Sequence, residues 1–148
     1  MLRQRYPLYE AELEATQPWR WLGGRDAADA WIKTRMRTKF WRTHCPNIRH
    51  HILTYPAPGK MSGGLDDKGV LLIGVLPESL MVPTLIHELT HPLVGVTKGT
   101  TPADHERDHG KRFAGALIEA YRHFDCAKTA EDLIKAFDRH HVRWESFE

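Results

Sequence analysis

The spacing of apolar residues divides the chain into helical segments at both ends and a strand-forming segment between them. Apolar positions three or four apart predict one helix over Tyr6–Thr16 and a second over about Asp26–Thr43. The second helix carries an apolar face whose members lie one turn apart: Ala28, Ile32, Met36 and Phe40. Both helices are therefore expected to pack against a shared core.

Short apolar runs bounded by proline, glycine and aspartate predict three strands in the middle of the chain. These strands are expected over His51–Tyr55, Lys60–Leu65 and Val70–Leu76. Residues 66–69, Asp-Asp-Lys-Gly, favour a hairpin turn between the last two strands. The sequence therefore predicts a small three-stranded antiparallel meander.

Helical spacing returns after the third strand and predicts helices over Val82–Val94, over about Asp104–Phe124 and from Thr129 onward. Pro83 fits the first turn of the first of these helices, and the hydroxyl of Thr129 can cap the last one. The order of helices, strands and helices is typical of the α+β class. We expect one domain over residues 1–148, with N-terminal helices, a small sheet and a C-terminal helical half.

Composition narrows the class of protein. The 148 residues are 41% hydrophobic and 27% charged with a net charge of +2, which excludes a disordered tail, a collagen-like chain and a coiled-coil rod. No apolar run approaches the roughly 18 residues of a membrane span, and the basic N-terminus is not followed by the apolar stretch of a secretory signal. Cys45 and Cys126 are too few for a disulfide scaffold, and we expect both to be buried. These features predict a cytoplasmic protein with no membrane partner.

The residues His87-Glu88-Leu89-Thr90-His91 form an H-E-x-x-H motif within the predicted Val82–Val94 helix. Residues four apart lie on the same helix face, so both imidazoles can reach one metal ion, and imidazole is a common ligand of Zn²⁺. Glu88 can accept a proton from a water whose pKa zinc lowers from about 15.7 towards about 7. The motif predicts a hydrolytic zinc site that lacks only its third ligand.

Several downstream residues are candidates for the third ligand. A metzincin pattern would require histidine where the chain has Thr97. His109 begins an apolar stripe along the next predicted helix and should point inward. His105, one turn earlier on that stripe, is the alternative ligand or a donor to an oxyanion. A carboxylate ligand from Glu106 or Glu119 is the remaining option.

The H-E-x-x-H motif followed by His109-Gly110-Lys111-Arg112-Phe113 resembles the paired motifs of the SprT/Spartan-like zinc metallopeptidase domain. That family combines H-E-x-x-H with a downstream H-G-x-x-F whose histidine is the third zinc ligand. The chain is also similar to small bacterial and phage-encoded metallohydrolases, over roughly Thr54 to Phe124. The resemblance implies a zincin-like C-terminal half, zinc held by His87, His91 and His109, and a catalytic Glu88.

One stretch of the chain is basic and contains no acidic residue. Between Ala30 and Leu65 there is no Asp or Glu, whereas seven basic residues occur there: Lys33, Arg35, Arg37, Lys39, Arg42, Arg49 and Lys60. Basic side chains interleaved with Trp31 and Trp41 suit phosphate contacts and base stacking, which predicts weak nucleic-acid binding. The competing interpretation is a solvated helix face with its tryptophans in the core.

These features favour a zinc-dependent metallopeptidase acting on a peptide or protein substrate. The Val70–Leu76 strand is expected to lie along the cleft and pair with an extended peptide. Two alternatives use zinc without turnover: a zinc-stabilised nucleic-acid-binding module, and a virion or interaction protein. Glu88 separates them, because a structural zinc site needs no base and usually has four protein ligands. The candidate donors to an oxyanion are His105, Arg112, Tyr55 and Tyr121.

Overall fold

A computed structural model describes residues 5–55, 62–65, 68–95 and 109–147 of the chain. Within these ranges the elements are α1 (Arg5–Ala15), α2 (Arg25–Met36), α3 (Lys39–His44), β1 (His51–Thr54), β2 (Ser62–Leu65), β3 (Leu71–Gly74), α4 (Val82–Leu93), α5 (Lys111–Phe124) and α6 (Ala127–Arg139). A single 3-10 turn over Pro77–Ser79 precedes α4. Helices flank a small sheet, so the predicted mixture of helix and strand is confirmed.

The sheet differs from the predicted antiparallel meander. Its strand order is β1-β3-β2, and β3 pairs parallel with β1 and antiparallel with β2. The pairing of β2 with β3 agrees with the expected hairpin, but the position and direction of β1 were predicted wrongly. Parallel pairing places Leu53 beside Ile73, and each is only 1% exposed, so this register joins two core side chains. β2 contains Gly63 and Gly64, which suit an edge strand better than a central one.

The predicted Asp26–Thr43 helix is two helices. α2 ends at Met36, and Thr38 adopts an extended conformation in which its hydroxyl accepts a hydrogen bond from the Trp41 backbone N–H at 3.2 Å. This cap begins α3, whose Trp41 indole is fully buried and donates to the Ile48 carbonyl at 2.8 Å.

The C-terminal helices follow the predicted order with shifted starts. The proposed first turns of the Asp104–Phe124 helix lie outside the described residues, and α5 is described from Lys111. α6 begins at Ala127 instead of Thr129, and the Thr129 hydroxyl bonds the carboxylate of Asp125 at 2.8 Å. Cys45 is buried as expected, but Cys126 precedes α6 and is exposed, so its predicted burial was wrong.

Packing between the helices brings the two ends of the chain together. α1 packs on α6, α6 on α5 and α5 on α4, while β2 lies beside α4. The connection after α1 pairs with the segment before α4, because Leu22 N–H donates to the Leu80 carbonyl at 3.0 Å and Val82 N–H donates to the Arg20 carbonyl at 2.9 Å. This pairing anchors the start of α4 against the N-terminal third. Across the described residues, we find no helix with both the length and the apolarity that crossing a bilayer requires.

Candidate metal centre

α4 carries two histidines one turn apart. Pro83 stands in its first turn, and Leu85 and Leu89 are fully buried, as the apolar spacing predicts. His87 and His91 project together from another face of α4, and they are also covered, at 8% and 2% exposure. The i,i+4 pair therefore belongs to the protein interior and not to a solvated helix face.

His109 joins this pair from the turn before α5. One possible ligand atom from each of His87, His91 and His109 lies within 4.8 Å of the others, and all three residues are buried. The Nε2 atoms of His87 and His109 are 3.1 Å apart. Two nitrogens bound tetrahedrally to one ion at about 2.0–2.1 Å would be separated by roughly 3.3 Å. The His87–His109 separation is close to this value, and the three histidines together could hold a metal ion.

Phe113 forms the apolar wall of the cluster. Its ring centroid lies 4.9 Å from that of His87 and 4.7 Å from those of His91 and His109. Phe113 is itself only 1% exposed. One aromatic side chain from the first turn of α5 thus supports all three imidazoles and restricts access of water from that side.

Of the alternative third ligands, Glu119 is described by the structure and is not part of this cluster. His105 and Glu106 lie outside the described residues. Glu119 accepts a hydrogen bond from Arg122 at 3.0 Å on α5. Of the residues that the structure describes, only His87, His91 and His109 form a group of three or more potential ligands.

Glu12 is a site residue that sequence reasoning missed. Its carboxylate is 5% exposed, and its Oε1 lies 2.8 Å from Nδ1 of His87. The Tyr121 hydroxyl donates to the other oxygen, Oε2, at 2.6 Å. The sequence feature that could have identified Glu12 is its position one turn after Leu8, which puts a charged residue on the buried face of α1. A carboxylate at such a position requires buried partners, and His87 and Tyr121 supply them.

Tyr9 is a second residue that the sequence did not single out. Its hydroxyl lies 3.3 Å from Nε2 of His109, and its ring contacts those of His87 and His109 at centroid distances of 5.2 and 5.4 Å. A pocket of about 310 Å³ reaches the cluster at this point, between α1 and α4. Its lining residues are Tyr9, Glu12, Leu13, Pro83, Thr84, His87 and Glu88.

Glu88 lies beside the histidines with one oxygen enclosed. Its Oε2 is buried and has no hydrogen-bond partner among the described residues. Burial raises the pKa of Glu88 above its ordinary value, with His87 opposing and Glu12 reinforcing that shift. Glu88 is also one of the residues that line the pocket.

Of the proposed oxyanion donors, the structure describes Tyr121, Tyr55 and Arg112. Tyr121 donates to Glu12 and so supports the cluster from behind. Tyr55 is 43% exposed and lies 5.7 Å from the guanidinium of Arg25, and Arg112 is exposed. His105 lies outside the described residues. Among the described residues, it is the hydroxyl of Tyr9 that lies beside the histidine cluster.

Five of the described side chains of the basic stretch line two different cavities. Four of its cationic side chains line a cavity of about 630 Å³ together with His50: Lys33, Arg37, Arg42 and Arg49. Lys39 lines another cavity, which also contains Glu119. Trp31 and Trp41 are 6% and 0% exposed, so the prediction that they stack on bases is wrong and the core interpretation is confirmed.

Arg35 is turned away from that cavity. Its guanidinium carbon lies 4.3 Å from the ring centroid of Trp31, and its Nε donates to the Phe124 carbonyl at 3.4 Å. Lys60 lies outside the described residues. Among the described residues of the basic stretch, the cationic side chains that share one cavity are therefore Lys33, Arg37, Arg42 and Arg49.

Comparison of the chain with protein-family models, with curated proteins and with solved structures gives no match. The resemblance to SprT/Spartan-like metallopeptidases therefore stays a prediction from the motifs. The case for a metal centre rests on the convergence of three buried histidines and on the residues around them.

Proposed function

We propose that this chain is a zinc-dependent hydrolase that cleaves peptide bonds. The observation that carries the proposal is the convergence of His87, His91 and His109 beside a pocket that Glu88 lines. Three protein ligands are typical of catalytic zinc sites, whereas structural sites usually have four. Within the part of the chain that the structure describes, the cluster supplies three histidines and no fourth ligand.

Each residue of the site has a role in this proposal. Zinc held by the three histidines would polarise the scissile carbonyl and lower the pKa of the attacking water. Glu88 accepts the proton of that water and delivers it to the leaving amine. Phe113 limits access of solvent where it packs against the imidazoles, which strengthens electrostatic interactions at the reacting atoms.

The sheet topology changes the proposed position of the substrate. β3 is paired on both sides, with β1 and with β2, so it has no free edge for an extended peptide. β2 is an edge strand of the described sheet and lies beside α4. We therefore place the peptide along β2, where main-chain hydrogen bonds could hold it next to the metal ligands of α4.

Replacing Glu88 by glutamine tests the proposal directly. Purified Glu88→Gln protein should retain zinc and its helical circular dichroism, while hydrolysis of an unstructured protein such as denatured casein falls at least ~100-fold. Glu78→Gln is the matched control, since Glu78 is an exposed carboxylate just before α4, and it should cleave as the wild type does. Wild-type activity in Glu88→Gln would show that the mechanism is wrong.

A second candidate function is weak, sequence-independent binding of nucleic acid. The observation that favours it is the cavity lined by Lys33, Arg37, Arg42 and Arg49. These side chains come from α2 and the residue after it, from α3 and from the segment before β1, and no carboxylate lines the cavity among the described residues. Such a cluster suits phosphate oxygens, and affinity would depend on counterion release.

A further inference from the structure

The two nitrogens of His87 face different partners. Nδ1 lies 2.8 Å from a carboxylate oxygen of Glu12, and Nε2 lies 3.1 Å from Nε2 of His109. A carboxylate accepts hydrogen bonds, so Nδ1 carries the proton in this contact. The lone pair of the neutral imidazole is then on Nε2 and is directed into the histidine cluster.

Glu12 is in turn held by a residue of a third helix. The Tyr121 hydroxyl donates to Glu12 at 2.6 Å and lies 3.4 Å from the Pro83 carbonyl. Tyr121 is 1% exposed and Glu12 is 5% exposed, so this hydrogen-bonded chain is shielded from water. Because both oxygens of the buried Glu12 carboxylate are hydrogen-bonded, its orientation is fixed. Its hydrogen bond to Nδ1 in turn fixes the ring of His87.

α1 approaches the cluster at a second point, one turn earlier. The Tyr9 hydroxyl lies 3.3 Å from Nε2 of His109, while Glu12 bonds His87. Two of the three candidate ligands therefore contact the same N-terminal helix. By contrast, the H-E-x-x-H and His109 motifs lie at least 70 positions further along the chain.

We infer that Glu12 is a positioning residue of the metal centre, with Tyr121 as its anchor. Glu12 keeps His87 in the tautomer and ring orientation that present Nε2 to the ion, and its negative charge makes the imidazole a stronger ligand. The inference rests on the metal site of the proposed function. According to this inference, α1 is part of the metal site although it lies far from the H-E-x-x-H motif in the sequence.

Zinc affinity tests the inference without requiring activity. Glu12→Gln and Tyr121→Phe are compared with the wild type by competition against a chromophoric chelator. Glu12→Gln should lose about 10- to 100-fold in zinc affinity, as expected when an outer carboxylate partner of a metal ligand is removed. Tyr121→Phe should lose affinity in the same direction. Glu10→Gln removes an exposed carboxylate of the same helix and should bind zinc like the wild type.

The double variant and a spectroscopic probe separate positioning from general structural damage. If Tyr121 acts through Glu12, the combined variant should lose no more affinity than Glu12→Gln alone. In the Co²⁺-substituted protein, Glu12→Gln should shift the visible absorption bands, and Glu10→Gln should not. If circular dichroism shows that Glu12→Gln does not fold, the test is made on the folded Tyr121→Phe protein. Unchanged zinc affinity in Tyr121→Phe would then overturn the inference.

The outcomes distinguish the two proposals. A folded wild-type chain that binds no zinc would contradict the proposed function itself. A wild type that binds zinc, together with a Glu12→Gln protein of equal affinity and identical Co²⁺ spectrum, would overturn the positioning role and leave the zinc site standing.

Discussion

The Nε2 atoms of His87 and His109 lie 3.1 Å apart, although the two residues are 22 positions apart in the chain. His87 belongs to α4, His109 precedes α5, and Phe113 packs against both rings. The packing of α4 on α5 thus holds the two ligand atoms at nearly the separation that a shared tetrahedral ion requires.

We expect one zinc ion per chain. His87→Ala and His91→Ala should lose it, and His109→Ala should weaken binding strongly, because each imidazole supplies one of three ligand atoms. Elemental analysis of the purified proteins measures the stoichiometry. His51→Ala is the control, since His51 pairs with Asp29 at 2.9 Å and should not affect the metal content. The ligand assignment is wrong if His109→Ala keeps tightly held zinc while His105→Ala removes it.

Gly115→Ala should destabilise the protein. A Cβ at this position of α5 would lie 1.7 Å from the backbone oxygen of Glu145, so the C-terminal segment would have to move. We expect the free energy of unfolding to fall by about 1–3 kcal/mol, the usual cost of overpacking, as measured by urea denaturation. Gly23→Ala is the control, because a Cβ there meets no atom within 4 Å. Equal stability of Gly115→Ala and the wild type would show that this close approach is absent in solution.

The two cysteines should differ sharply in reactivity. Burial raises the pKa of Cys45 to about 12, so its thiol stays protonated at pH 8, whereas Cys126 is exposed. One thiol per chain should therefore react rapidly with a disulfide reagent in the native protein, and two after denaturation. Cys126→Ser should abolish the rapid phase. Equal reaction rates of the two thiols under native conditions would contradict the burial of Cys45.

Oligonucleotide binding should depend on the cavity lined by Arg37, Arg42 and Arg49. Log affinity should fall with log salt by about 0.7–0.9 per phosphate neutralised, and replacing these three residues by alanine should flatten the slope by about two to three. A variant with Lys128, Lys135 and Arg139 replaced on α6 removes the same charge elsewhere and should change the slope less. No binding at low salt, or equal slopes in the two variants, would contradict this second function.

Two residues of the histidine cluster, His87 and His91, could be predicted from the sequence because their pattern is local. The spacing of His87 and His91 places both on one face of a helix whatever surrounds it. His109 was identified less directly, since its apolar stripe indicates an inward direction but does not name the neighbour that it meets. The H-E-x-x-H helix and the β2–β3 hairpin follow from contacts between residues that are close in the chain.

Tertiary structure decided which surfaces meet. Glu12 and His87 are 75 positions apart, and no periodicity in α1 or α4 specifies their hydrogen bond. The parallel pairing of β1 with β3 and the burial of Trp41 likewise depend on packing across the chain. The sequence by itself predicted where most of the helices lie and which face of each is apolar, because side-chain direction repeats with the local backbone, but it did not predict the break between α2 and α3. It did not determine the partner of each face, because that choice minimises the free energy of the whole core at once.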